Sequence, residues 1–481
     1  MQRELLRSLI PNLKRRISQI VAERRVPGVS VGLVDDQELV WSEGFGYADI
    51  ASERRPDEHT IYGVGSITKT FTATAIVQLR DEGKLTLEDP IVRHIPEFAS
   101  VKCRFGRVED VTLRRLLTHH SGLQSEPVGL NWDTWEMKTI EEIVSDLPQT
   151  EVVIEPDSAF KYSNLGFALL GEVVSRASGR PYVEYTQQEM LEPLGMTASG
   201  FRLSDEQRPL LATGYRWSPF SDVPPEEEHP TVDLRGANSA GRLYSTVHDL
   251  AKWLSLQFCT DGQVRGSAQV LRGSSLREIH RPQYMEPDWN TGFCLAWGGP
   301  KISGEVVLGH GGGVPGFVTQ INFSPKHKLG FIALTNGGPA SDIANVVADM
   351  TFAAVREAPA ELQPWRPLPT PAAWRLLLGR YTTPLGNVGS VVHRNGSLRI
   401  VWDPNDPGLE LEPTEDEKVF VAKDGRWAGE PVRFRVGTDG HVTGFLHYET
   451  PYRRLVEAPG WDVHDSDSRA ADDSAAGREA R

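Results

Sequence analysis

The stretch "GVGSITKTFTATAIVQL", residues 63–79, decides the fold. Its apolar positions, Ile67, Phe71, Ala73, Ala75, Ile76, Val77 and Leu79, run almost all round a helix, the mark of a buried one. Ser66 nonetheless sits at its first turn, and Lys69 follows one turn later on the same face. Taken alone, the pair has ordinary explanations: a serine N-cap, and a lysine whose stem carries its ammonium to water. A lone Ser-x-x-Lys arises by chance about once or twice in a chain of this length.

At 481 residues the chain is too long for one core and has room for two or three domains. Apolar content of 39% and charged content of 24% are those of a globular protein. The formal net charge is −14 with no basic stripe, which argues against nucleic acid and anionic membranes as partners. No apolar run is long enough to span a membrane. At the N-terminus Leu5, Leu6, Leu9, Ile10, Leu13, Ile17, Ile20 and Val21 fall at helical spacing. That segment lacks the apolar core and cleavage site of a secretory signal, and Glu4 and Glu23 disfavour a mitochondrial presequence. Cys103, Cys259 and Cys294 are odd in number and widely spaced, so they read as reduced thiols of a cytoplasmic protein. Neither a metal nor a cofactor is expected.

Residues 28–49 read as a hairpin around Asp35-Asp36. Helices are expected over 110–123, ending near Gly122, over 164–180, ending near Gly179, and over 245–258, capped by Ser245 or Thr246. Strands return at 305–313, 316–325 and 328–338, followed by a helix over 341–357. Strands at both sequence ends with helices between them imply one sheet built from both ends: an α/β domain, residues 1–362, whose sheet is flanked by helices and carries a helical insertion. "QPWRPLPTP" (363–371) reads as a stiff linker. Beyond it, turn pairs at Asn395-Gly396, Asp424-Gly425 and Asp439-Gly440 separate short strands, which indicates a small antiparallel barrel over 372–458. The polar segment 459–481 is expected to be disordered.

Three motifs mislead. "GVSVG" (28–32) matches Gly-x-Ser-x-Gly, but Ser30 lies within a strand and not on a sharp turn into a helix. "HGGG" (310–313) should precede the nucleophile in an α/β-hydrolase, and here it comes far later. "GGGVPG" (311–316) is followed by a strand where a dinucleotide site needs a helix.

"FKYSNLGFALLG" (160–171) sets Tyr162 and Asn164 just before an apolar helix, where Asn164 serves as an N-cap and Tyr162 as a packed aromatic. "VVLGHGGGVPGF" (306–317) puts His310 at a strand end beside a flexible glycine turn. Together, Ser66-x-x-Lys69, Tyr162-x-Asn164 and His310-x-Gly312 resemble, in order and spacing, the serine β-lactamase and penicillin-binding-protein superfamily. The class C-like branch, with its esterases, D-amino-acid peptidases and amide hydrolases, is the nearest likeness. "LRRLLTHHSGL", "LEPLGM" and "GANSAGRLYSTVHDLAKWL" agree, and the resemblance covers about residues 15 to 357.

The resemblance implies the class C β-lactamase-like fold, with an antiparallel sheet. It also implies a serine hydrolase that cleaves an ester or amide through an acyl-enzyme on Ser66, acting on a small molecule or short peptide. A serine hydroxyl needs a base. A buried lysine at i+3 has a lowered pKa and can serve, or can hold a phenolate beside it. Tyr162 would shuttle the proton to the leaving group and later activate water. Asn164 would donate to the substrate. The helix N-terminus at Ser66 and the N–H of Gly313 would form the oxyanion hole. The third motif departs from the usual lysine. His310, mostly neutral near neutral pH, weakens the case for substrates with a carboxylate and is similar to esterase-like and D-aminopeptidase-like relatives. Residues 372–458 resemble the lipocalin-like barrel that several of those carry. A D,D-carboxypeptidase or weak β-lactamase is the rival within enzymes. A catalytically silent scaffold is the rival outside them, which intact Ser66, Lys69 and Tyr162 oppose. The acyl and leaving groups, and whether the chain forms a homo-oligomer, stay open.

Overall fold

Every residue of the strand Gly28–Asp35 is buried, so the strand needs cover on both faces. Alternation supplies it. Val29, Val31 and Leu33 join Leu13 and Ile17 of the helix Gln2–Arg24 and Ile343, Val347 and Phe352 of the helix Ala340–Glu357 in one cluster. Val34 belongs to the cluster on the other side, with Leu250 and Leu254 of the helix Val247–Gln257 and with Phe71. The chain is described by a computed structural model over residues 2–130, 137–216, 226–228, 233–259, 267, 269–287, 289–357, 368–384, 388–394, 396–402, 408–423, 428–447 and 450–455. The tail 459–481, linker residues 363–367, Asn395 and the Asp424-Gly425 turn lie outside the described residues.

Along the sheet the strands run Glu38–Gly46, Gly28–Asp35, Leu329–Thr335, Phe317–Ser324, Leu308–Val314, Gly298–Ile302, Thr291–Phe293 and Tyr284–Met285, all antiparallel, with Glu305–Val306 paired to Gly298–Ile302. Val29 opposes Thr335 and Asp35 opposes Leu329, so the two ends of this unit meet as neighbouring strands of one sheet, as the strand distribution implies. The segment between them holds the inserted helices, among them Thr68–Asp81, Asn164–Ser178 and Val247–Gln257.

Thr68–Asp81 is the central helix, buried from Thr68 to Leu79. Its threonines do not spoil the apolar environment, because each hydroxyl has a partner: Thr70 Oγ1 donates to Ile67 O (2.8 Å), Thr74 Oγ1 to Thr70 O (2.9 Å) and Thr72 Oγ1 to Ser239 O (2.7 Å). The Phe71 ring stacks on Trp253 at 3.7 Å, and neither has exposed surface.

Three local expectations are corrected. The helix expected over 110–123 is only Leu113–Leu117, capped by Thr112, because His119 takes a left-handed backbone (φ 61°) that no helix continues through. The cap of the helix Asn164–Ser178 is Ser163, whose Oγ accepts from Gly166 N at 2.9 Å, and not Asn164. The glycines after His310 are not a flexible turn but part of the strand Leu308–Val314.

The chain divides into two compact units, Met1–Glu361 and Leu362–Arg481. The second unit holds a closed barrel of eight antiparallel strands, each paired with its neighbour in sequence, and Thr450–Arg454 returns to pair with Gly379–Thr382. Its interior is filled by alternate residues, among them Tyr381, Ile400, Leu411, Phe420, Phe434 and Phe445.

Because Phe71 is fully enclosed, Phe71→Ala is expected to destabilise the first unit by about 3–5 kcal/mol. Urea unfolding followed by tryptophan fluorescence measures it; a loss below about 1 kcal/mol would mean that the ring leaves no cavity.

Candidate active site

The buried helix begins with a 3₁₀ turn, Gly65–Ile67, and no side-chain cap bond is made at either the turn or the helix that follows. Ser66 therefore does not cap. It is half-buried, and its Oγ lies 3.0 Å from Lys69 Nζ. Lys69 does not reach water either: it has no exposed surface. Its Nζ meets Asn164 Oδ1 at 2.8 Å and Ala240 O at 2.6 Å. Burial lowers the Lys69 pKa to about 7, against an opposing pull from the Glu126 carboxylate.

The capping by Ser163 leaves the Asn164 side chain free for other work. Asn164 Nδ2 donates to Glu126 Oε1 at 2.7 Å, which fixes the amide with its oxygen towards Lys69. The backbone N–H groups of Asn164 and Leu165 both donate to Ser125 O, at 2.7 and 3.1 Å, and so tie the Glu126 loop to the helix start.

Two of the three atoms around Lys69 Nζ, the Asn164 amide oxygen and the Ala240 carbonyl, can only accept. A neutral amine has two N–H groups and one lone pair. When the N–H groups serve those two acceptors, the lone pair is left for Ser66 Oγ, a hydroxyl that can donate. Tyr162 stands over the same group, with its ring centroid 4.9 Å from Lys69 Nζ. Burial pushes its phenol up to about 12, and a hydrogen bond with Ser66 opposes that rise. The phenol is thus protonated at neutral pH.

The strand Leu308–Val314 closes the other side. Gly65 has a left-handed backbone (φ 55°), and a Cβ there would fall 2.5 Å from Gly313 N. A Cβ on Gly312 would fall 2.0 Å from Val64 O. The two glycines let the strand approach the helix head with nothing between. Thr319 Oγ1, from the neighbouring strand, donates to Val64 O at 2.9 Å and holds the approach. His310 bonds Gly311 O through Nδ1 at 2.6 Å, so its neutral ring carries the proton there and leaves Nε2 as an acceptor. Burial, with Lys69 adding to it, lowers the His310 pKa to about 4.

The structure brings Ser66, Lys69, Tyr162 and Asn164 together, and Gly312 and Gly313 abut the helix head. His310 lies near enough to Lys69 for their charges to interact. Sequence reasoning missed Glu126, the Ala240 carbonyl, Thr319 and His119. Glu126 lies in a loop without periodicity, His119 lies in a stretch read as helix, and the Ala240 contribution is backbone, so none of them is singled out as a site residue. Among the described residues no group of three or more His, Cys, Asp and Glu is arranged for a metal ion, and no helix is long and apolar enough to cross a membrane.

Residues 13–352 match the family model described as Beta-lactamase. Protein flp of Staphylococcus aureus is 27% identical over 312 residues, 65% of this chain and 60% of that one, so the match spans about three fifths of that curated relative. The octameric penicillin-binding protein homologue from Pyrococcus abyssi superposes with a TM-score of 0.62 at 27% identity, over 92% of this chain and 99% of that one. A D-stereospecific amidohydrolase from Streptomyces sp. gives 0.57 at 25% identity, over 69% and 96%. A class C beta-lactamase shares the fold, with a TM-score of 0.58 at 21% identity over 76% and 97%. With the family model covering well over half its length, the chain belongs to the beta-lactamase family.

Proposed function

We propose that the protein is a serine hydrolase that cleaves an ester or amide through an acyl-enzyme on Ser66. The observation that carries this reading is the fully buried Lys69 nitrogen, whose two obligate acceptors leave its lone pair for Ser66 Oγ. In the first step Oγ bonds to the substrate carbonyl carbon, its proton passes to Lys69, and the carbonyl electron pair moves onto oxygen. The N–H groups of Ser66 and Gly313 face that oxyanion. Tyr162 protonates the departing oxygen or nitrogen as the bond to it breaks, and recovers a proton from Lys69. A water then attacks the acyl carbon, giving up its proton through the same pair, and Oγ leaves. Asn164 orients the substrate from beside Lys69.

Neutral His310 offers no charge to a substrate carboxylate. This favours an esterase or a D-aminopeptidase or amidase-like activity, on a small molecule or short peptide, over a D,D-carboxypeptidase or β-lactamase. The 25% identical D-stereospecific amidohydrolase supports the amide side. The cytoplasmic setting rests on three free thiols. Residues 372–458 read as an appended lipocalin-like domain. The octameric homologue supports a homo-oligomer here too, so light scattering is expected to give a mass that is a multiple of the 53.3 kDa chain. A monomeric mass would remove that part of the reading.

A fluorophosphonate probe is expected to label the protein, and Ser66→Ala to abolish both labelling and turnover of p-nitrophenyl esters. Labelling that survives Ser66→Ala would move the nucleophile elsewhere, and no labelling at all would favour the silent scaffold. Activity on D-aminoacyl anilides with none on nitrocefin would favour amidase over β-lactamase.

The rate of labelling is expected to rise with pH through about 7 and then level off, because the neutral Lys69 amine is the reactive form. Glu126→Gln removes the carboxylate that favours the ammonium, so the midpoint should move to lower pH. A rise in the midpoint, or none, would detach Glu126 from Lys69.

A further inference from the structure

We propose that His119 is the positioning residue of Tyr162, a clamp that holds the phenol over Ser66 and acts on the reaction only through it. The inference rests on the hydrolase reading above. Three contacts carry it. Lys161 N, just before Tyr162, donates to His119 O at 2.7 Å. Ser163 N, just after it, donates to His119 Nδ1 at 3.1 Å. Between them the imidazole lies on the Tyr162 ring, with centroids 4.3 Å apart and planes 31° apart. One residue thus grips the backbone on both sides of Tyr162 and the ring itself.

Packing alone does not account for the arrangement. His119 is only 5% exposed and keeps a left-handed backbone, φ 61°, that disfavours any residue with a Cβ. That backbone turns its carbonyl and its ring towards the same tripeptide. An apolar side chain of similar size would fill the space but leave the buried Ser163 N–H without its acceptor.

The hydrogen bond also sets the protonation state. Nδ1 accepts, so the single proton of the neutral ring is on Nε2. An imidazolium would have no lone pair for Ser163 N–H. Burial first, then Lys69, His310 and His120, hold the His119 pKa well below the usual imidazole value, so the acceptor persists at any pH where Lys69 is neutral. Nε2 is buried and finds no partner among the described residues, which leaves the ring no competing bond there to draw it off Tyr162.

The test uses the full-length chain, p-nitrophenyl acetate as substrate and a double-mutant cycle. His119→Ala is expected to lower kcat by about 10- to 100-fold with KM little changed. His119→Asn, which keeps an acceptor near Nδ1 and tolerates a left-handed backbone, should recover most of that loss. In a Tyr162→Phe background, His119→Ala should change kcat less than about twofold, because a residue acting through the phenol has nothing left to position. An equal loss in both backgrounds would overturn the proposal and leave His119 a packing residue. So would a His119→Asn variant no better than alanine. If His119→Ala does not fold, the cycle is run with His119→Leu, which keeps the bulk and removes the acceptor, and is judged by the same non-additivity. Wild-type protein that the fluorophosphonate probe does not label would overturn the hydrolase reading itself; labelled protein with additive losses overturns only the clamp.

Discussion

A lysine nitrogen with no access to water is the constraint around which the first unit is arranged. Isolating an ammonium in an apolar interior costs several kcal/mol, so the site must either neutralise Lys69 or surround it with oxygen atoms. It does both. The pKa falls to about 7, and three oxygens lie within 3.0 Å of Nζ. Those oxygens come from Ser66, Asn164 and Ala240, separated from Lys69 by 3, 95 and 171 positions. Only a fold that brings remote segments together can supply them, and the helical insertion between the two halves of the sheet does so. The helix Thr68–Asp81 lies at the meeting point, in one cluster with the helices that carry the Asn164 and Ala240 oxygens.

The second requirement is closeness of backbone. The proposed oxyanion site, made of N–H groups, needs a strand edge set directly against a helix head, and any side chain at the junction would separate them. Gly65 and Gly312 remove the side chains, and the Thr319 hydroxyl bonds Val64 O across the gap. That is why the run after His310 is glycine-rich and still a strand. The composition that reads as flexibility in the sequence is a demand of close approach in the structure, since Gly312 would meet Val64 O at 2.0 Å if it carried a Cβ.

What the sequence made legible follows from where each feature stores its information. The helix over 63–79, the hairpin at 28–49 and the strands returning after 305 are periodic, and period reports burial directly. The Ser66, Lys69 and Tyr162 convergence was legible because three short motifs agree in order. The cap was misread because Ser163 and Asn164 are both good capping residues, and only the geometry tells that Ser163 takes the Gly166 N–H. The helix over 110–123 was drawn too long because His119 adopts a left-handed backbone without being glycine or asparagine. Glu126 and His119 were missed for a common reason. Glu126 meets Asn164, and His119 meets Lys161 and Ser163, through hydrogen bonds that span about 40 positions, and no local pattern encodes such bonds.

Charge balance gives these parts a common purpose. The groups that line the site are held in neutral forms: His310 and His119 by burial, Tyr162 by a phenol pushed up to about 12. Glu126 supplies the opposing charge, one amide away from Lys69, through Asn164 Nδ2 on one side and Oδ1 on the other. If burial acted alone, the Lys69 amine would be a weaker base and would hold the Ser66 proton poorly. If the carboxylate touched Nζ directly, the pair would stay ionised and the lone pair would not exist. Setting an amide between them is an intermediate solution. Asn164 carries part of the carboxylate's influence through its dipole while it keeps the ions apart, and in the proposed hydrolase the side chain assigned to orient the substrate thereby also tunes the amine beside it.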